Sequence, residues 1–155
     1  VLVLGIDPST TRIALADDQA RTIVAAVANG DKGPARLADI HRHTRLAIRR
    51  FVGERSVPRL CFVESPGGHV HPSLWQAVGV VQAAAYLELA RLRGAPVVVR
   101  TIGPTQWKKL LLGKGSADKD EILEWARAHG FNGSSQDEAD AYAIARVGVA
   151  LVKPI

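Results

Sequence analysis

Sulfur is nearly missing from this 155-residue chain, which has one cysteine and no methionine, the initiator included. A lone cysteine excludes an intrachain disulfide. Cys61, set inside the apolar run Arg59-Leu60-Cys61-Phe62-Val63, reads as a small buried hydrophobe and not as a nucleophile. The fold therefore rests on its own core, which a chain of this size can build as one domain spanning 1–155. A reducing, cytoplasmic setting fits the cysteine usage. Long hydrophobic runs are absent too. None reaches the ~20 residues needed to span a bilayer, and no secretory signal is visible, so no membrane partner is expected. Acids are the minority charge, 15 against 20 Lys and Arg, giving a net charge of +5 and a pI near 9.8. Such a surface attracts polyanions, nucleic acid among them.

Against that basic background, a few acids stand at the ends of predicted elements. The first stretch, Val1 to Asp7, is apolar up to its carboxylate and reads as a central strand covered on both faces. Alone, Asp7-Pro8-Ser9-Thr10 is equally a plain turn. A second run, Arg59–Val63, ends in the same way at Glu64. Between them, Arg12–Ala16 and Arg21–Val27 complete a three-strand meander. A helix from about Ala35 to Phe51 turns Leu37, Ile40, Leu46 and Ile48 towards the sheet and its basic residues outward. Val97–Arg100 is the fifth strand. Near the end, Ser135 and Glu138 have capping-box spacing, so a last helix starts at about Gln136. Asp140 shares a stripe with Ile144, Val147 and Leu151, which points it inward, while Asp137 lies on the same face one turn earlier.

Carboxylates gathered in this way repel one another unless they share a cation. If the first and fourth strands are neighbours, Asp7, Glu64, Asp140 and Asp137 converge at the carboxyl ends of the strands, where α/β sheets place their sites. All are hard oxygen donors, which suits Mg²⁺ or Mn²⁺. Two such ions ~3.5–4 Å apart support in-line phosphodiester hydrolysis. Phosphate contacts are expected around the turn Gly113-Lys114-Gly115-Ser116, where Lys108, Lys109, Lys114 and Lys119 cluster. The alternative is a solvated lysine surface. Ser116 or Asp118 is expected to cap the helix that follows. His69 and His71 occupy the loop after Glu64, where they are placed to meet substrate more readily than metal. The helix Pro72–Arg93 carries two apolar stripes. One holds Leu74, Val78, Val81, Ala85, Leu89 and Leu92; the other holds Ala77, Val80, Ala84 and Leu87. Two stripes need two partners: the sheet, and either another helix of the chain or the same helix of a second copy, the homodimer being favoured.

The chain resembles RuvC-type Holliday-junction resolvases of the ribonuclease H-like superfamily. The likeness rests on Gly5-Ile6-Asp7-Pro8, on Val63-Glu64, on the basic turn from Gly113 to Lys119, and on the terminal acid helix Asp137 to Ala145. The resemblance implies an α/β, ribonuclease H-like fold: a five-stranded mixed sheet with helices on both faces. It also implies a homodimer that nicks four-way junction DNA symmetrically, leaving 5′-phosphate and 3′-hydroxyl ends. Asp7, Glu64, Asp137 and Asp140 are the implied ligands of two Mg²⁺ ions. Lys119 matches a catalytically important lysine, and Lys108 a further basic position. One departure is plain: Ser65-Pro66-Gly67-Gly68 stands where many members carry an aromatic that stacks on a junction base, leaving His69, His71 and Trp75 as the nearest rings. The rival readings are a ribonuclease H-like RNA-processing nuclease and a junction-binding module without catalysis. An actin-like ATPase is a further rival, but it needs a second domain that 155 residues do not provide.

Overall fold

The computed structural model describes residues 2–28, 32–68 and 70–152. In chain order the elements are β1 (Val3–Pro8), β2 (Arg12–Asp17), β3 (Thr22–Ala26), α1 (Gly33–Val52), β4 (Leu60–Glu64), α2 (Pro72–Arg93), β5 (Val98–Ile102), α3 (Pro104–Leu112), α4 (Lys119–Ala128) and α5 (Gln136–Leu151). The strands form one mixed sheet in the order β3-β2-β1-β4-β5. The meander β1-β2-β3 is antiparallel, and β4 and β5 add in parallel on the other side of β1. The expected adjacency of the first and fourth strands holds, with Ile6 opposite Val63. No described helix is long and apolar enough to cross a membrane.

Strand alternation sorts the core into two layers. Leu4, Ile6, Cys61 and Val63 face α1 and α2. Val3, Leu60 and Phe62 face α3 and α5, and Ala14 and Ala16 pack with Tyr142 of α5 on the same side. Because successive side chains change face, Asp7 and Glu64 inherit the α5 side. α5 lies unusually close to the sheet. A Cβ on Gly5 would fall 2.1 Å from the Ala141 carbonyl oxygen and 2.7 Å from the Ala145 nitrogen. Glycine in β1 and alanines at 139, 141, 143 and 145, all buried, are what let the helix backbone touch the strand.

One expectation needs correction, and another is met in part. Leu46 does not face the sheet and is 47 % exposed, because Thr44 and Ala47 occupy the buried slots of α1 together with Ile40, Ile48 and Phe51. The second stripe of α2 is half covered within the chain: Ala77 and Ala84 are buried, and α1 packs directly against α2, while Leu87 of the same stripe is exposed. Trp75 and Tyr86, on another side of the helix, are exposed as well. Smaller differences are shifts at element ends. β5 runs two residues further than expected, and of the two candidates Asp118 caps α4, accepting from the Glu121 N–H at 2.9 Å.

Glu88 of α2 fastens these two helices together. Fully buried, it accepts from Arg45 Nε at 3.0 Å and Arg49 Nε at 2.9 Å, both on α1, and from Arg91 on its own helix. Burial raises its pKa, but the bonds from Arg49, Arg91 and Arg45 outweigh burial and bring it from 4.5 down to about 2. The stabilisation is thus full above the unfolded value and is lost as pH falls from about 4.5 towards 2. Urea unfolding at pH 7 and pH 2.5 is expected to show wild type losing about 2–3 kcal/mol more than Glu88→Gln across that interval. Equal losses would mean that the cluster adds nothing.

Candidate active site

Four acids meet above the carboxyl ends of β1 and β4. Asp7 and Glu64 come from the strands and lie close enough that each acts on the ionisation of the other. Asp137 and Asp140 come from the first turns of α5. The start of that helix is fixed by a reciprocal cap: Ser135 Oγ accepts from the Glu138 N–H at 3.2 Å, and Glu138 takes the Ser134 and Ser135 N–H groups at 2.9 Å each. Glu138 also accepts from Thr22 at 3.0 Å, so it is committed to the cap and to β3 and not to the cluster.

The electrostatics of the group are those of crowded, poorly solvated anions. Burial, then the charges of Glu64 and Asp140, push Asp7 well above the usual carboxylate range. Burial raises Glu64 as well, opposed by its close neighbour Asp7 and by the hydrogen bond from the Trp107 indole. Asp140 is pushed up to about 6, chiefly by burial, although Gln136 Nε2 donates to it at 3.0 Å. Asp137 is the most open of the four, 4.0 Å from the Arg12 guanidinium. As they stand, no three acids, imidazoles or thiols among the described residues are close enough to ligate one ion together.

The donor set fits a hard divalent ion. Every member is a carboxylate, the only thiol is sealed inside β4 with its pKa pushed far up by burial, and His71 is occupied as the cap of α2, accepting from the Ser73 N–H at 3.2 Å. Beside Asp7 and Glu64 a cleft of 210 Å³ opens between Pro66 and the α2 residues Leu74 and Val78. Arg36 of α1 steadies the adjoining β1–β2 turn through two N–H groups on the Thr10 carbonyl, at 2.8 and 3.2 Å.

Of the expected basic residues, Lys108 alone is near enough for its charge to act on Glu64 and Asp140. Lys109 and Lys119 are exposed, and Lys114 pairs with Glu121 of α4. His69 lies outside the described residues. Trp107 is the residue that sequence reasoning missed. Fully buried in α3 against Phe62 and Ile144, it donates its indole N–H to Glu64 Oε1 at 3.3 Å. A tryptophan in a helix signals core, and nothing local signals the carboxylate 43 positions earlier. Trp107→Phe keeps the packing but removes the donor. It is expected to slow catalysis about tenfold at a stability cost of about 1 kcal/mol, read from single-turnover rates and thermal melts. An unchanged rate would leave Trp107 a packing residue only.

Comparison with known proteins places the chain as a whole. No family model matches the chain. A curated crossover junction endodeoxyribonuclease RuvC of Synechococcus sp. is 31 % identical, over 94 % of this chain and 96 % of its own length. The chain belongs to the RuvC family. The RuvC structure from Thermus thermophilus superposes with a TM-score of 0.68 at 26 % identity, covering 96 % of this chain and 93 % of that one. The same organism's RuvC in complex with Holliday junction substrate gives a TM-score of 0.66 at 30 % identity, covering 95 % and 96 %. The yeast mitochondrial resolvase Ydc2, 18 % identical with a TM-score of 0.55, covering 93 % of this chain and 75 % of its own, shares the fold. The ribonuclease H-like α/β architecture read from the motifs is therefore that of RuvC.

Proposed function

We propose that this RuvC-family chain is a divalent-metal-dependent endonuclease that resolves four-way DNA junctions, with Asp7, Glu64, Asp137 and Asp140 as the ion ligands. The observation that carries the reading is the emergence of Asp7 and Glu64 on one face of the sheet, beneath the acid-bearing first turns of α5, in a chain with RuvC relatives along its whole length. When bound, Mg²⁺, or Mn²⁺ in its place, supplies an activated water and neutralises charge at the phosphate, and four carboxylates suffice for two ions.

The chain's own groups do the rest. Asp7 would serve as a ligand in its carboxylate form. The Trp107 indole holds Glu64, and Gln136 holds Asp140, in fixed orientations. Lys108 brings a cation to the approaching phosphate, and Lys119, exposed at the start of α4, closes on it as the DNA docks. Lys109 and Lys114, with His69 and His71 of the loop after Glu64, extend the contact surface. Water attack on the phosphodiester leaves a 5′-phosphate and a 3′-hydroxyl. The setting is cytoplasmic.

A junction presents two symmetry-related strands, so paired nicks need two centres. Exposed Leu87 of the second α2 stripe, with Trp75 and Tyr86 exposed on the same helix, supplies an isologous contact for a homodimer. Sedimentation is expected to give twice the chain mass for wild type and the single mass for Leu87→Glu; a wild-type monomer at micromolar concentration would remove the dimer.

The experiment for the reaction itself is incubation with labelled four-way junction, linear duplex and structured RNA, each with and without Mg²⁺. Symmetric nicks in the junction alone, only with the ion, are expected. Cutting of the RNA instead would favour an RNA-processing nuclease, and junction binding without cutting a silent module.

A further inference from the structure

The sheet is not evenly covered. On the α5 side, α5 lies over β1, β2 and β4, and α3 covers the far end of β5 around Ile102. The beginning of β5 has no helix above it, so Val98 is 46 % exposed beside Leu60, its partner on β4. Leu151, at the carboxyl end of α5, is also exposed and walls the gap. The result is a trough of 410 Å³, within the size range of ligand sites. Three arginines rim it: Arg59 before β4, Arg93 at the end of α2 and Arg100 on β5. None pairs with a carboxylate among the described residues; Arg93 spends one N–H on the Pro96 carbonyl. The trough also runs along a sheet edge, since no described strand pairs with the outer side of β5. One charged residue on an edge strand is ordinary protection against aggregation. Three cations without a carboxylate partner among the described residues, around an apolar floor and beside a strand edge that no described strand covers, make a recognition surface.

We propose that this trough docks an extended, acidic segment of a partner protein, its backbone pairing with the β5 edge, apolar side chains seated on Leu60, Val98 and Leu151, and carboxylates answering Arg59, Arg93 and Arg100. Charge complementarity names the partner's sign, and the apolar floor favours peptide over nucleic acid. The place is also apart from the catalytic chemistry. α5 is 16 residues long, so its Leu151 end lies about 20 Å from the Asp137 end. A partner bound there leaves the acid cluster open, which suits recruitment of the nuclease to another protein already on the DNA.

The test uses the full-length protein and a fluorescein-labelled ten-residue peptide of glutamates around a central Leu-Val pair, followed by anisotropy at physiological salt. Saturable binding is expected, weakened at least tenfold by Arg59→Ser together with Arg100→Ser, both exposed positions, and unchanged within about twofold by Lys108→Ala. Junction cleavage by the double variant is expected to stay within twofold of wild type. Binding that is absent, that survives the double variant, that is as tight for the peptide with lysines in place of glutamates, or that follows Lys108 would overturn the proposal. So would competition by a linear duplex that depends on Arg59 and Arg100, since DNA would then be the occupant.

Discussion

Asp7→Asn is expected to lower the single-turnover rate of Mg²⁺-supported junction cleavage on the order of 10³-fold or more, a barrier increase of at least about 4 kcal/mol, while junction affinity changes less than about threefold. The two readouts separate because they rest on different groups. Affinity for a polyanion comes chiefly from Lys and Arg contacts, and this chain carries a net charge of +5. In the proposed mechanism cleavage depends on the anionic ligands, and the charges of all three other acids act to raise Asp7. The amide of Asn keeps the shape and one oxygen but cannot offer a full negative charge to an ion. Stability should not fall. In the ion-free protein Asp7 is an anion penalised by burial and by Glu64 and Asp140, so neutralising it relieves repulsion, and a melting temperature equal to or above that of wild type is expected. Undiminished cutting by the variant would take Asp7 out of the mechanism.

Gly5→Ala is expected to be nearly as damaging although it touches no reacting group. Its methyl would sit 2.1 Å from the Ala141 carbonyl oxygen and 2.7 Å from the Ala145 nitrogen. Both are backbone atoms of α5 and cannot rotate away, so the helix as a whole must lift. Overpacking of this kind costs about 3 kcal/mol. The functional cost follows from what the helix carries, because Asp137 and Asp140 move with it. A displacement of ~1 Å at the reacting centre costs on the order of 10²-fold in rate. Two other glycines calibrate the effect. A methyl on Gly148, also on α5, has side-chain atoms of Val3 and Phe62 as its nearest neighbours, at 2.6 and 2.7 Å, which can give more than a helix backbone although both are buried; on Gly79 it meets nothing within 4 Å. The expected order of both stability loss and rate loss is Gly5 first, Gly148 well behind, Gly79 near zero. Gly148→Ala slowing cleavage as much as Gly5→Ala would mean that the acids are not held in place by the contact at β1.

The two strand acids could be read from the chain because each ends an apolar run, and the α5 acids because Ser135 and Glu138 mark the helix start and Asp140 falls on the stripe of Ile144 and Val147. The face on which Asp7 and Glu64 emerge was not legible. β1 and β4 are covered on both sides, so their sequences show no alternation, and only the placement of α5 over Gly5 decides it. Leu46 misled because the buried stripe of α1 runs through Thr44, a polar residue in an apolar slot. Trp107 and Gln136 escaped for a different reason: each orients a carboxylate by one hydrogen bond, and a hydrogen-bond partner leaves no periodic trace. The lysines were conspicuous in sequence, yet the structure leaves Lys109 and Lys119 exposed and pairs Lys114 with Glu121, so the fold itself assigns them no common target.

The central claim is that Asp7, Glu64, Asp137 and Asp140 hold the divalent ions themselves. An anomalous difference map from crystals grown with Mn²⁺ tests it most directly. Density within ligating distance of Asp7 and shared with Glu64 or Asp140, resolving into two sites ~3.5–4 Å apart at full loading, is the expected result. Manganese bound elsewhere on the protein, with the four acids left unliganded at saturating ion, would contradict it.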